Sequence, residues 1–279
     1  MRLPYHYFGG TSSMNRTVIL AALLAAALAP ASARADFATT NIQGLVGWNF
    51  HDPSVGSDVT GGEMSTITVN HFDDWKYGDN FFFVDMMQGD FTDGVKSHLY
   101  GEYHPRLFLN RVLGKKEPAL GILQDWGLAG EVNLGNGFQA YMGGLGLQFV
   151  APKFWVLGLN VYYRYAEFQL PSPVGPVSYD HTWQVSPFWT IPFSIGKVPF
   201  LFTGFLDADG IKNPDNTQGW ELMTQPELLV DLLALTGGPK GKLYVGVEWY
   251  LHYATSNKDL GAPNDLVSSP QAMIQWNLH

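Results

Sequence analysis

From about residue 40 to the C-terminus, apolar and polar residues alternate in segments of roughly nine to fifteen residues, divided by clusters of Gly, Pro, Asn and Asp. A period of two predicts β-strands. In Lys242–Thr255, Leu243, Val245, Val247, Trp249, Leu251 and Tyr253 fall on one face, and Tyr244, Gly246, Glu248, Tyr250 and His252 on the other. In Phe154–Phe168, Trp155, Leu157, Leu159, Val161, Tyr163 and Tyr165 oppose Asn160, Tyr162 and Arg164. Twelve strands are predicted, over 41–50, 62–72, 78–88, 97–110, 120–134, 137–149, 154–169, 178–190, 198–209, 218–231, 241–255 and 269–278. Gly135-Asn136-Gly137 marks a tight hairpin between the fifth and sixth. Pro105, Pro187 and Pro226 lie inside predicted strands, where each removes a ladder donor.

One face of most segments carries large hydrophobes, and the other carries Tyr, His, Glu, Arg and Gln. That division suits a lipid face and a wet lumen, with aromatics at segment ends as interfacial girdles. A secreted β-sandwich also alternates, but its inner face need not be polar. The expected fold is therefore all-β, a transmembrane antiparallel up-and-down β-barrel of about twelve strands. An even count allows closure, and closure matters because every unpaired backbone group in hydrocarbon costs several kcal/mol.

The N-terminus changes the picture. Met14, Asn15 and Arg16 precede an apolar run from Val18 to Ala29 and the small-x-small pattern Ala33-Arg34-Ala35. This predicts a cleaved signal peptide within residues 1–35, with Met14 as a candidate true start, and a single barrel over 36–279. The expected location is the cell outer membrane of a Gram-negative bacterium, with outer-membrane lipid as the surrounding partner. The chain has 14 % aromatic residues, 31 glycines, 15 % charged residues and no cysteine, a composition suited to strands and turns. Removing Arg2, Arg16 and Arg34 leaves 13 basic residues against 25 acidic ones, a net charge of −12. Nucleic acid is excluded as a partner, since its binding is driven by basic residues.

Several stretches carry a family resemblance. Phe81-Phe82-Phe83-Val84-Asp85 is an aromatic-rich strand ending in Asp. Tyr100-Gly101-Glu102-Tyr103-His104-Pro105-Arg106-Leu107, with Leu109, Arg111 and Gly114, contains a Glu-x-x-Pro-Arg strand. Asp125-Trp126, Tyr141-Met142-Gly143-Gly144-Leu145-Gly146 and Leu159-Asn160-Val161-Tyr162 follow in order. Together these resemble the Tsx-like family of nucleoside-specific outer-membrane channels, including OmpK-type porins, over roughly residues 62–169. The resemblance implies a twelve-stranded barrel and passive nucleoside passage. His104 and Phe108 depart from the family pattern.

Passage of a nucleoside requires surfaces that stack the base and polar groups that meet the sugar, none strong enough to trap it. By parity Phe81, Phe83 and Asp85 share one strand face, and His98, Tyr100, Glu102, His104 and Arg106 share the wet face of the next. A second inward set is Tyr162, Arg164, Tyr244, Glu248, Tyr250 and His252. Glu102 and Arg106 serve either mutual neutralisation or solute contact, and Asp85, Glu102, Arg106 and Arg164 are expected to pair in some combination. The tyrosines serve either as lumen filling or as ligand contacts. No metal is expected, because His98 and His104 stand about 20 Å apart along a strand. No cofactor is expected either, because the Gly-rich loops lack the strand-to-helix context of a phosphate cradle.

Three other functions compete with the nucleoside channel: a general porin, a surface barrel whose loops bind phage, and an outer-membrane lipid-modifying enzyme. The enzyme requires a nucleophile held by a base, and no Gly-x-Ser-x-Gly elbow occurs. Ser97 and His98 are neighbours on a strand and point to opposite faces. The reading is therefore a non-enzymatic channel for small solutes.

Overall fold

The computed structural model describes residues 35–52, 58–169, 176–212, 217–255 and 266–278. The predicted signal peptide and start site fall in residues 1–34, outside the described residues. The strands are β1 (Ala35–Gly47), β2 (Val59–Trp75), β3 (Gly78–Phe91), β4 (Ser97–Phe108), β5 (Leu123–Gly135), β6 (Phe138–Phe149) and β7 (Val156–Gln169). They continue as β8 (Pro176–Ile195), β9 (Val198–Lys212), β10 (Gln218–Thr224), β11 (Glu227–Asp231), β12 (Leu243–Ala254) and β13 (Leu266–Asn277). Apart from β10 and β11, which do not pair with each other, each strand pairs antiparallel with its sequence neighbours, and β1 pairs with β13 from Asn41↔Asn277 to Gly47↔Gln271, closing the sheet. β10 and β11 both lie between β9 and β12, so they are two halves of one barrel strand. The fold is a closed twelve-stranded transmembrane barrel, as the alternation predicts.

The prolines act as their chemistry dictates. Pro226 has no N–H to offer and splits the tenth barrel strand at residues 225–226. Pro105 and Pro187 stay within their strands, paired on one side with Asn80 and Leu159. On the other side the ladder skips, from Tyr103↔Val132 to Arg106↔Ala129 and from Val185↔Ala208 to Phe188↔Phe205. The β5–β6 hairpin turns on Asn136-Gly137 with Gly135 opposite Phe138, and Gly137 sits at φ 73°, where an L side chain is disfavoured.

Inside and outside follow parity. Ile67, Leu128, Leu145, Tyr163, Val247 and Ile274 are exposed on the outer face, with Leu128 at 65 %. Gln43, Thr68, Asn133, Asn160, Gln184, Gln271 and Gln275 are buried on the inner face. A ring of exposed leucine, isoleucine and valine is tolerable only in hydrocarbon. Exposed Trp126, Trp155 and Trp276 mark the end that holds the β2–β3 and β8–β9 turns, and Trp48 and Trp220 the opposite end. These are the two aromatic girdles expected at membrane interfaces.

Two buried aspartates fold the connections at the first of these ends. Asp125 accepts backbone N–H bonds from Asn110 (2.9 Å), Arg111 (3.1 Å) and Trp126 (2.8 Å), holding the one-turn helix Leu109–Val112 against β5. Asp231 does the same for Ala234 (3.0 Å) and Gly241 (2.6 Å) around the short helix Leu232–Leu235. Arg111 pairs with Asp74, donates to the Gly78 carbonyl (3.0 Å) and to Gln148 (3.1 Å), and lies over the Phe108 ring at 4.9 Å. Asp125 and Arg111 both belong to the motif-bearing stretches, and both secure a connection at the barrel rim.

Candidate functional site

The inner wall of β3, β4 and β5 is the richest in chemistry. The β3–β4 register sets Asp79 opposite Arg106, Phe81 opposite His104, Phe83 opposite Glu102 and Asp85 opposite Tyr100. Same-face neighbours therefore meet across the ladder. Ring centroids of Phe81 and Phe83 lie 6.1 Å apart, Phe83 and Tyr100 5.9 Å, and Phe81 and His104 5.5 Å. Tyr100 stacks on Phe138 at 6.2 Å, with an interplanar angle of 24°. The result is a continuous aromatic lane along the lumen.

Polar groups run beside this lane. Tyr100 donates its hydroxyl to Glu102 at 2.5 Å, and His104 meets Glu102 with Nε2 (2.7 Å) and Glu131 with Nδ1 (3.2 Å). Gln184 on β8 reaches Glu131 at 3.3 Å and Ser186 at 2.9 Å. Asp85 accepts from Thr68 at 2.5 Å. Arg106 forms a fork with Asp79, Nε at 2.7 Å and Nη2 at 2.6 Å, and both side chains are buried. Its guanidinium also lies 4.7 Å from the Phe188 ring centroid on β8, four barrel strands away. The lumen is thus bridged from wall to wall at this level.

In the second inward set, Arg164 and His252 share Glu221, and Tyr162 packs apart from them with Ala129, Ala140 and Met142. Arg164 sits between Asp209 (3.6 Å) and Glu221 (3.7 Å). Tyr250 and His252 both hold Asp52 at 2.7 Å, and His252 reaches Glu221 at 3.3 Å. Glu248 accepts from Gln271 at 2.7 Å and faces Glu227 directly across the β11–β12 ladder. Tyr244 stands apart, packed with Leu45, Leu201, Leu229 and Met273.

Every one of the twelve lumen candidates points inward, but the expected pairing among Asp85, Glu102, Arg106 and Arg164 is corrected. Glu102 and Arg106 are four residues apart on one strand, about 13 Å at ~3.3 Å per residue, beyond ion-pair reach. The partners are instead Asp79, Asp209 and Glu221 on other strands, together with Glu131 beside His104. Each of these four acids lies at an inward parity position of a predicted strand, the only sequence signal that could have singled them out. The wide His98–His104 separation still excludes that pair as ligands, yet His104 has carboxylate neighbours on its own strand and the next.

Several buried polar atoms on this inner face have no protein partner: Arg106 Nη1, Arg164 Nε and Nη1, Asn133 Oδ1, Asn160 Oδ1 and the Tyr162 hydroxyl. Groups of this kind are satisfied by water or by a solute, because leaving them bare costs about 1–3 kcal/mol each. The inner surface therefore has hydrogen-bonding capacity to offer along its length.

A closed barrel with lipid-facing hydrophobes and a polar, aromatic-lined interior defines the class of transmembrane β-barrel proteins. The chain belongs to the family described as "Domain of unknown function (DUF5020)", whose model matches residues 45–278. No curated protein matches it in sequence. Among solved structures it is similar to the KdgM porin, at 8% identity over 86% of this chain and 99% of that one, with a TM-score of 0.43. It is also similar to the KdgM porin in complex with disordered oligogalacturonate, at 8% identity and a TM-score of 0.42 over the same shares of the two chains. The Acinetobacter baumannii outer membrane protein Omp33 aligns at 10% identity over 85% of this chain and 97% of that one, with a TM-score of 0.32.

Proposed function

We propose that the protein is an outer-membrane channel, exported by its N-terminal signal, through which small polar solutes diffuse passively, with nucleosides as the solute class and a Tsx-like channel as the nearest functional type. The observation that carries this reading is the aromatic lane Phe81–Phe83–Tyr100–Phe138 running beside the hydrogen-bonding groups of Glu102, Arg106, Asn133 and Tyr162. A base slides over ring faces, with stacking worth about 1–3 kcal/mol per base, while ribose hydroxyls exchange among the unsatisfied polar atoms. Contacts of that size hold a solute briefly and release it.

The wall-to-wall contact of Arg106 with Phe188 supports a narrow pathway over the wide lumen of a general porin. Inward carboxylates outnumber the two inward guanidiniums, so the channel favours neutral and cationic solutes over anions. The refolded barrel in a planar bilayer tests the proposal. Discrete openings that adenosine blocks and a sugar does not support it. Openings indifferent to adenosine leave a general porin, and a folded barrel without conductance removes the channel reading altogether.

A further inference from the structure

We infer that Glu102, His104 and Glu131 form a binding site for one divalent transition-metal ion inside the barrel, with the Tyr162 hydroxyl as a further donor. The inference stands on the convergence of side chains and does not require that the barrel conduct. Glu102 and His104 are two residues apart on β4, so both face inward, and Glu131 comes from the inner face of the neighbouring β5. One donor atom from each of the three lies within 4.8 Å of the other two. A tetrahedral ion with bonds of ~2.1 Å needs ligand–ligand edges of ~3.4 Å. The His104 Nδ1 to Glu131 Oε2 separation of 3.2 Å already matches such an edge. Glu102 Oε2 stands by the other ring nitrogen, 2.7 Å from Nε2, so closing the set on one ion requires the Glu102 carboxylate or the imidazole to turn.

The surroundings are those of a ligand set. Glu102 receives the Tyr100 hydroxyl on Oε1, leaving Oε2 toward His104, and Gln184 braces Glu131 from β8. Uncharged donors that orient ligating carboxylates are the usual outer shell of metal sites. A second, independent observation points to a ligand. The Tyr162 hydroxyl has no partner although the residue is only 2 % exposed, and of the charges acting on it Glu131 comes first, followed by the opposing Arg106 and then Asp207 and Glu102. Across β6 the inward position opposite Tyr162 is Gly144, which has no side chain, while Met142 lies opposite Glu131.

Charge supplies the last argument. The buried carboxylates of Glu102 and Glu131 both meet one imidazole, while Arg106, two residues along β4, is committed to Asp79. Buried anions in excess require a cation or protons. An imidazole with carboxylates suits zinc, manganese, iron or cobalt over magnesium and calcium, which prefer all-oxygen shells.

The test is a cobalt(II) titration of the folded, detergent-solubilised barrel, followed by visible absorption, with zinc added as competitor. The expected result is saturable binding of one ion per barrel, displaced by zinc, lost in His104→Gln and Glu131→Gln, and unchanged in Asp90→Asn at the exposed rim. Tyr162→Phe weakens binding by ~10–100-fold, the range for loss of a supporting partner. Heat-modifiable mobility on gels establishes that each variant is folded, and Tyr162→Phe decides the matter should the other two fail to fold. No saturable binding by the wild-type barrel, or binding that folded His104→Gln or Tyr162→Phe leaves intact, overturns the proposal and makes the cluster a His-carboxylate salt bridge. A barrel that binds cobalt yet conducts nothing would defeat the channel reading and leave this one standing.

Discussion

The inner walls of β3–β5 and of β11–β13 with β1 are built from the same alternating strands, yet they are lined differently. The first carries rings, carboxylates, His104 and Arg106. Facing into the same lumen, Leu45, Leu201, Leu229, Tyr244 and Met273 form an apolar cluster joining β1, β9, β11, β12 and β13. The contrast shows that an inward position in a barrel is not by itself a wet position. One wall presents rings and polar groups to the lumen, while the other fills space and pins strands together as a soluble core does.

That contrast can be broken from either side. The largest effect is expected from Arg106→Ala, which strands the buried Asp79 carboxylate and removes the bridge to Phe188. Stability to urea should fall by about 3–5 kcal/mol, and single-channel conductance should rise. Adding Asp79→Asn should restore much of the stability while leaving the conductance high, which separates the ion pair from the constriction.

On the filled wall, Leu229→Ala empties a site that is 0 % exposed. A loss of about 2–5 kcal/mol is expected in the same unfolding measurement, with adenosine block unchanged. The contrast would be wrong if this variant altered block as much as stability. Phe83→Ala removes one ring of the lane and should weaken adenosine block by about 1–3 kcal/mol with little change in sugar flux, read from current titrations. The smallest effect is expected from Glu248→Gln, which removes one of the two facing inward carboxylates and should lower cation over anion preference, measured as a smaller reversal potential in a salt gradient.

Much of the fold was legible because its signal is local. Gln43, Leu45 and Gly47 on one face and Ile42 and Val46 on the other follow from counting by two, and so does the inward placement of all twelve candidate residues. The hairpin at Asn136-Gly137 was legible for the same reason, since a two-residue turn is read from its own residues. The split at Pro226 was foreseen as a disturbance, but its form was not. Pro105 and Pro187 carry the same chemistry and leave their strands whole, because each has one ladder partner strand that does not need the missing donor.

The partners of the charged residues were not legible. Glu131 meets His104, Asp209 and Glu221 meet Arg164, and Gln184 reaches Glu131 across 53 positions of sequence. Leu45 and Leu229 ran against the expectation of a polar inner face, because each is buried by neighbours from distant strands.

By itself, then, the sequence determined the strands, their count and the side each side chain takes, since alternation is fixed by backbone geometry within a single strand. Only the tertiary structure decided which inward residues touch. That depends on the register of every strand pair around the ring and on how far the lumen lets opposite walls approach, as where Arg106 meets Phe188.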